Sequence, residues 1–276
     1  MKVIAYGKLN LCLYVCGTRG GYHLIDSVMH TVNLGDILDV RESDDIRINI
    51  HGATVPEETD STRKAAIAVY EQTGVKFSAT VEKHIPVGGG MGGSSADGAG
   101  LIYAAEKLLA KRGIVLDTKK AAAATGSDVA FMIKGGAARV RGTGDVISSL
   151  PPCTFDALVV DCGEVSTAAC YSAFDNMRLP CGGNCERIAE KLLCGKAFLA
   201  EDLNNDLFAS ACALNSRVSE AYGLLHEAGI KAHLTGSGGC LFVVGKDCAA
   251  AERALGGKFR SFRVKSKNCG AEVISD

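Results

Sequence analysis

A glycine-rich segment around residue 90 constrains the fold of this 276-residue chain more than any other feature. Its sequence is Ile85-Pro86-Val87-Gly88-Gly89-Gly90-Met91-Gly92-Gly93-Ser94-Ser95-Ala96-Asp97, preceded by a strand pattern and followed by a helix pattern. Glycine lets the backbone turn tightly and approach a ligand closely. We therefore expect a loop whose main chain lies against a bound molecule. The chain has 33 glycines but no Gly-X-Y period, which excludes a collagen-like fibre.

The charge of that molecule follows from the predicted helix start. The first turn of a helix carries unpaired N–H groups and a partial positive charge, which attract phosphate. Ser94 and Ser95 add hydroxyl groups, and Ser95 is a candidate magnesium ligand. The Gly-Lys-Ser/Thr ending of a Walker A loop is absent. Gly88, Gly90 and Gly93 match the dinucleotide pattern G-x-G-x-x-G, so dinucleotide binding and a purely structural turn remain alternatives.

Charge and cysteine content narrow the protein class. The chain has 30 basic and 31 acidic residues, a balance that argues against nucleic-acid or anionic-membrane partners. We find no secretory signal pattern and no long apolar run, and we expect a soluble cytoplasmic protein, monomeric or weakly dimeric. The twelve cysteines have no zinc-type spacing and are interpreted as thiols in a reducing compartment.

The elements before residue 150 are predicted from periodicity and capping signals. Asp60 or Ser61 is expected to begin a helix that Gly74 ends. Residues 129–147 are expected to form a strand hairpin that turns at 134–136. The other predicted elements are strands at 6–15, 28–40, 46–50 and 75–85, and helices at 95–110 and 119–124.

Pro151-Pro152 marks a predicted boundary between two domains, 1–150 and 151–276. The second part is expected to contain strands at 157–161, 231–235, 240–244 and 262–265, and helices at 167–176, 186–193, 206–228 and 249–255. This order resembles the split βαβ (ferredoxin-like) arrangement. The predicted class is α+β, with a mixed strand and helix domain followed by a split βαβ domain.

Several motifs resemble the GHMP small-molecule kinases. The glycine-rich segment is similar to that superfamily's Pro-x-x-x-Gly-Leu-Gly-Ser-Ser-Ala loop. The other motifs are similar to those of the 4-diphosphocytidyl-2-C-methyl-D-erythritol kinase family, and they are Ala5-Tyr6-Gly7-Lys8-Leu9-Asn10-Leu11, Gly21-Tyr22-His23, Leu34-Gly35-Asp36, Thr125-Gly126-Ser127-Asp128-Val129, Gly163-Glu164-Val165-Ser166-Thr167, Asn204-Asn205-Asp206-Leu207 and Leu234-Thr235-Gly236-Ser237-Gly238-Gly239. The chain departs from the family at Gly7, Gly20 and Ala130, and its loop is one residue shorter before the serine pair.

The resemblance implies a role for two charged residues. Asp128 would be the catalytic base that accepts the hydroxyl proton, and Lys8 would stabilise its ionised form and polarise the acceptor hydroxyl. From local sequence alone, Asp128 is equally a helix cap or turn residue, and Lys8 an outward-facing strand lysine. Glu82 and Lys83 are expected to face solvent.

The resemblance also implies binding residues. Residues Pro86 to Ala96 would bind ATP together with Mg²⁺, and Tyr22 and His23 would contact the cytosine, with Tyr171 or Phe174 as the opposite wall. Asn10, Gly236 and Ser237 would lie near the acceptor and the phosphates. The local alternatives are a satisfied strand end for Asn10, an ordinary turn for Tyr22-His23 and a hairpin turn for residues 236–239.

The implied activity is phosphorylation of the 2-hydroxyl of a substrate with a cytidine diphosphate group, by an ATP-dependent kinase of the non-mevalonate isoprenoid pathway. Another GHMP kinase, acting on a sugar, homoserine or mevalonate-type alcohol, is the nearest alternative. A nucleotide-binding protein without activity and a dinucleotide-dependent oxidoreductase are more distant ones.

Overall fold

The computed structural model describes residues 1–54, 60–178 and 183–275. The elements of the first part are β1 (Lys2–Arg19), β2 (Tyr22–Glu42), β3 (Ile48–His51), α1 (Ser61–Thr73), β4 (Phe77–Glu82), α2 (Gly93–Ala110), α3 (Thr118–Thr125), α4 (Val129–Lys134), β5 (Ala137–Gly142) and β6 (Val146–Leu150). The second part contains β7 (Asp156–Asp161), α5 (Thr167–Met177), α6 (Glu186–Leu193), β8 (Asn204–Asn205), α7 (Phe208–Leu214), α8 (Ser216–Glu227), β9 (His233–Leu234), β10 (Cys240–Val244), α9 (Cys248–Leu255), β11 (Arg260–Lys265) and β12 (Ala271–Ser275).

The first sheet is organised around the long hairpin of β1 and β2. Its strand order is β12-β1-β2-β4-β3, with β5 paired to β2 and β6, and β8 paired to β1. Arg19 pairs with Tyr22, so the hairpin turns through Gly20 and Gly21 alone. Both glycines have positive φ, +61° and +82°, as a two-residue type I′ turn requires. Gly20 therefore suits the position where it departs from the family pattern.

Helices α1 to α4 cover one face of this sheet. Asp60 caps α1 by accepting a hydrogen bond from the Thr62 N–H at 2.8 Å, and Gly74 ends the helix with φ +71°, as predicted. Helix α2 packs directly on β1 and β2. A Cβ at its Gly100 would lie 2.9 Å from the Ala5 Cβ, so this glycine permits the close approach of helix and sheet.

The second sheet has the order β11-β7-β10-β9, and its strand pairs are antiparallel. In chain order this is the fourth, first, third and second strand, the arrangement expected of a split βαβ unit. A separate apolar core joins β7 and β10 to α5, α7, α8 and α9. The predicted α+β class is confirmed. The division at residue 150 stays a prediction, since β12 returns to the first sheet beside β1.

Two predicted elements are wrong. Residues 129–134 form helix α4 rather than a strand, because a short apolar run has no decisive periodicity. The hairpin that follows turns at 143–145, where Asp145 Oδ1 accepts from the Thr143 N–H at 2.8 Å. The predicted helix 206–228 is broken by the extended backbone of Asn215, whose side chain caps α8 through the Arg217 N–H. Strands β8 and β12 were not predicted.

The structure also corrects the interpretation of the cysteines as free thiols. A disulfide joins Cys12 on β1 to Cys185 at the start of α6, with Cα atoms 6.1 Å apart. The Cys185 N–H also bonds Asp26 Oδ2 at 3.1 Å. Cys181 lies outside the described residues.

Candidate active site

A cavity of about 910 Å³ lies between the two sheets. Its walls come from the β1–β2 hairpin, the glycine-rich segment, the start of α2, the α3–α4 turn, α5 and the β9–β10 turn. Of the predicted site residues, those lining it are Lys8, Asn10, Tyr22, His23, Pro86, Val87, Gly88, Gly89, Gly90, Met91, Gly92, Gly93, Ser94, Ser95, Asp128, Gly236 and Ser237. Sequence motifs that are far apart in the chain therefore share one cavity.

The glycine-rich segment is a tight loop that leads into α2. Gly88, Gly90 and Gly92 have φ of +63°, +77° and +69°, a region that side chains other than glycine rarely adopt. A Cβ at Gly92 would lie 2.4 Å from the Met132 Cε. Helix α2 begins at Gly93, two residues before the predicted start. The loop backbone thus lies close to both the helix start and α4.

The β9–β10 turn packs on this loop backbone to backbone. A Cβ at Gly90 would lie 2.1 Å from the Thr235 carbonyl oxygen, and one at Gly236 would lie 2.5 Å from the Gly90 carbonyl oxygen. Ser237 shares a 2.8 Å hydrogen bond with Thr167 on α5. The second glycine turn therefore supports the first one, which a simple hairpin turn would not need to do.

The end of the predicted loop lies partly outside the cavity. Ala96 is fully buried within α2, and its N–H bonds the Gly92 carbonyl at 2.8 Å. The Ser94 hydroxyl donates to the Ser61 hydroxyl at 2.8 Å, which ties α2 to α1. Ser95 lines the cavity in the first turn of α2.

Lys8 is buried beneath the glycine loop, with only 3% of its surface exposed. Its Nζ donates to the Gly90 carbonyl at 2.5 Å and to Asn10 Oδ1. Burial lowers the pKa of Lys8, and the attraction of Asp128 opposes that shift. An outward-facing strand lysine would have none of these contacts.

Asp128 stands at the start of α4 and lines the cavity beside Ser127. Its side chain makes no capping hydrogen bond to the helix. Its charge also raises the pKa of Tyr171, for which burial is the larger cause. Asp128 is half-buried, and its carboxylate does not cap the helix. It lies close enough to Lys8 and Tyr171 to change the pKa of both.

The Asn10 side chain links the two sheets. Oδ1 accepts from the Gly236 N–H at 2.9 Å, and Nδ2 donates to the Ser27 hydroxyl at 2.8 Å. With 1% of its surface exposed, Asn10 holds Lys8 and the β9–β10 turn in place. The Asn10 amide was predicted to bond the substrate, but these contacts within the protein already use most of its hydrogen-bonding capacity.

The hairpin end of the cavity contains the predicted aromatic residues. Tyr22 is 69% exposed. The His23 ring stacks on Tyr171 with centroids 4.6 Å apart, and its Nε2 lies 2.9 Å from Asp175 Oδ1. Phe174, the other candidate for the opposite wall, is buried in the second core. Tyr171 is therefore the aromatic residue of α5 that faces the cavity.

A buried ion cluster next to the loop was missed. Lys83 Nζ lies 2.5 Å from Asp36 Oδ2 and 2.6 Å from Asp97 Oδ2, and all three side chains are nearly buried. The prediction that Lys83 faces solvent is thus wrong, while Glu82 is exposed. Burial raises the pKa of Asp97, although Lys83 opposes the shift. Lys83 and Asp97 line the cavity; the sequence signal was an acid inside the predicted α2.

Comparisons with known proteins show the family to which the chain belongs. Residues 61–137 match the model of the GHMP kinases N terminal domain, and residues 196–256 match GHMP kinases C terminal. The 4-diphosphocytidyl-2-C-methyl-D-erythritol kinase of Azoarcus sp. (strain BH72) is 35% identical over 86% of this chain and 83% of its own length. That of Moorella thermoacetica (strain ATCC 39073 / JCM 9320) is 34% identical over 90% and 91%.

The chain belongs to the 4-diphosphocytidyl-2-C-methyl-D-erythritol kinase family of GHMP kinases.

Solved structures extend the likeness to the whole fold. A crystal structure of 4-(cytidine 5'-diphospho)-2C-methyl-D-erythritol kinase superposes with a TM-score of 0.78 at 27% identity, covering 96% of this chain and 99% of that one. Homoserine kinase from Cytophaga hutchinsonii ATCC 33406, at 19% identity and a TM-score of 0.73 over 99% and 97% of the two chains, shares the fold. The prediction of a small-molecule kinase is confirmed. Among the described helices, none has the length and apolar character to cross a membrane.

Proposed function

We propose that this protein transfers the γ-phosphate of ATP to the 2-hydroxyl of 4-diphosphocytidyl-2-C-methyl-D-erythritol, a step in the non-mevalonate supply of isoprenoid precursors. The observation that carries the proposal is the convergence of Lys8, Asp128, the glycine loop and the Tyr22-His23 turn in one cavity. The identity to kinases of that name, over most of the chain, supports the choice of substrate.

The glycine loop and the first turn of α2 would hold the phosphates of ATP. Gly88, Gly90 and Gly92 carry no side chain and have positive φ, so the backbone can approach phosphate closely there, and the helix start favours negative charge. Mg²⁺ is commonly held by one or two protein oxygens together with substrate phosphates, and the Ser95 hydroxyl offers one such oxygen. A bound Mg²⁺ would neutralise charge that develops on the phosphates.

Asp128 would accept the proton of the acceptor hydroxyl as the hydroxyl oxygen attacks the γ-phosphorus of ATP. The O–P bond to ADP breaks as the new one forms, and the proton passes to the Asp128 carboxylate. Lys8, held by Asn10 and the Gly90 carbonyl, would stabilise the ionised form of Asp128 before the proton is transferred. It would also polarise the acceptor hydroxyl. Only the charged form of Lys8 performs that task.

The hairpin end of the cavity would bind the cytidine diphosphate group. Tyr22 offers an exposed aromatic face that stacks on a base, and His23, which stacks on Tyr171, offers a polar edge. The distance between the hairpin and the glycine loop would separate the base from the transferred phosphate. We also propose a cytoplasmic enzyme that is monomeric or weakly dimeric, with domains 1–150 and 151–276.

Turnover by the purified protein tests the substrate. ATP with the cytidine substrate should give ADP and the 2-phosphate, whereas homoserine, mevalonate and galactose should give no product above background. Turnover of one of these alcohols without turnover of the cytidine substrate would replace the proposal with that activity. The dinucleotide alternative lacks support, since β1–β2, β2–β4 and the strand pairs of the second sheet are antiparallel, whereas that fold is built from successive parallel βαβ units.

A further inference from the structure

Two residues on one face of α5 fix the ring of His23. Tyr171 and Asp175 are four residues apart, a spacing that places both side chains on the same side of a helix. Tyr171 stacks on the imidazole with an interplanar angle of 27°, which sets the plane of the ring. Asp175 Oδ1 lies 2.9 Å from Nε2, which sets its rotation within that plane. The His23 side chain is 17% exposed, so it has little freedom to turn.

The chemistry of Asp175 also determines which ring nitrogen carries the proton. An ionised carboxylate only accepts hydrogen bonds, so Nε2 must donate and therefore bears the hydrogen. In a neutral imidazole the other nitrogen, Nδ1, is then an acceptor. A carboxylate partner commonly fixes a histidine tautomer in this way.

We propose that Asp175 is a positioning residue that makes His23 Nδ1 a hydrogen-bond acceptor and thereby selects cytosine over uracil. The inference rests on the proposed function, in which this end of the cavity binds the base. Cytosine presents an amino group where uracil presents a carbonyl oxygen. The amino group donates to Nδ1, whereas the carbonyl would place two acceptors against each other. Leaving polar groups unpaired in this way costs about 1–3 kcal/mol, which is roughly a fivefold to 150-fold loss of affinity.

Nucleotide binding tests this without requiring turnover. Calorimetry at about pH 8, above the ordinary imidazole range, would compare CDP with UDP for wild type, Asp175→Ala and Asp175→Asn. The matched control is Asp44→Asn, an exposed aspartate outside the cavity. We expect wild type and Asp44→Asn to bind CDP at least about fivefold more tightly than UDP. In Asp175→Ala the ratio should fall towards one, mainly through weaker CDP binding, whereas Asp175→Asn, whose amide oxygen can still accept from Nε2–H, should keep much of it.

A second measurement distinguishes a change in the His23 tautomer from a general loss of stability. The ¹⁵N chemical shifts of labelled His23 should show a protonated Nε2 in wild type and a mixture of tautomers in Asp175→Ala, while the melting temperatures of the two proteins remain similar. An unchanged CDP-to-UDP ratio in Asp175→Ala would overturn the role of Asp175 alone. Equal binding of CDP and UDP by wild type would overturn the selectivity itself. Binding of neither nucleotide would overturn the proposed function and this inference with it.

Discussion

At the scale of single residues, Asp128 and Lys8 are a charged pair placed by distant parts of the chain. The family motifs predicted both residues, but local sequence also allowed a helix cap and a solvent-facing lysine. The structure shows a carboxylate that does not cap its helix and an ammonium group buried under a glycine carbonyl. Such contacts cannot be inferred from sequence, because the partners of Lys8 include a loop 82 residues away.

Replacement of Asp128 by asparagine should abolish most turnover without unfolding the protein. The amide keeps the size of the side chain but cannot accept the hydroxyl proton, and general-base catalysis contributes about 100- to 10,000-fold in rate. We expect kcat to fall by that factor while the melting temperature stays close to wild type. Asp156→Asn, at an exposed aspartate of β7, is the control and should keep full activity. A kcat within twofold of wild type for Asp128→Asn would remove the residue from its proposed role.

The charge of Lys8 should give the rate an alkaline limit. Burial lowers its pKa and Asp128 only partly offsets this, so the ammonium loses its proton at a pH below the ordinary lysine value of about 10.4. We expect kcat to fall as pH rises through that lowered pKa. Lys8→Arg keeps its charge throughout this range, and its smaller residual kcat should show no such fall. Lys2→Met, on the same strand but outside the cavity, is the control and should retain the wild-type dependence of kcat on pH. If kcat of Lys8→Arg falls over the same pH range as wild type, another group sets the alkaline limit.

At the scale of elements, capping and turn residues predicted most boundaries, and short apolar runs caused the errors. Asp60 and Gly74 delimit α1 as the sequence indicated. Helix α4 was mistaken for a strand because six residues are too few to distinguish the two periods. The contact between the two glycine turns could not be predicted either, because Gly90 and Thr235 are 145 residues apart in the sequence.

Substitution of Gly90 should show how much stability comes from the contact between the two glycine turns, apart from the strain of a side chain at positive φ. Gly90 and Gly113 both have positive φ, +77° and +71°, but a Cβ at Gly90 would meet the Thr235 carbonyl whereas one at Gly113 meets nothing within 4 Å. Gly113→Ala should therefore cost only the conformational strain of about 1–2 kcal/mol. Gly90→Ala should cost clearly more in the free energy of unfolding by urea, and it should weaken ATP binding. Equal costs for the two variants would mean that the turns do not depend on each other.

The buried ion cluster joins Asp36, inside β2, and Lys83, directly after β4, to Asp97 in α2. Removal of one partner from a buried ion pair leaves an uncompensated charge, which costs about 3–5 kcal/mol. We expect Lys83→Met to lower the free energy of unfolding by roughly this amount. Adding Asp97→Asn should recover part of the loss, because only one carboxylate then remains unpaired. A solvent-facing lysine, as the sequence suggested, would give a loss below about 1 kcal/mol.

At the scale of the whole molecule, the chain passes between its two sheets more often than the sequence indicated. The Pro151-Pro152 boundary precedes the second sheet, but β8 and β12 return to β1 in the first. Two-residue strands and a strand at the chain end carry too little periodicity to be recognised. The last third of the chain therefore supplies both Gly236 and Ser237 in the cavity wall and the edge strand β12 of the first sheet.

The Cys12–Cys185 disulfide crosses the same boundary and should stabilise the folded molecule. The two cysteines are separated by 173 residues, and closing so long a loop restricts the unfolded chain, an effect of about 2–5 kcal/mol. We expect a dithiol reductant to lower the urea midpoint of wild type accordingly. The double variant Cys12→Ser/Cys185→Ser should start from that lower midpoint and should not respond to the reductant. If wild type unfolds at the same urea concentration with and without reductant, the disulfide contributes nothing to stability, and packing alone holds α6 against β1.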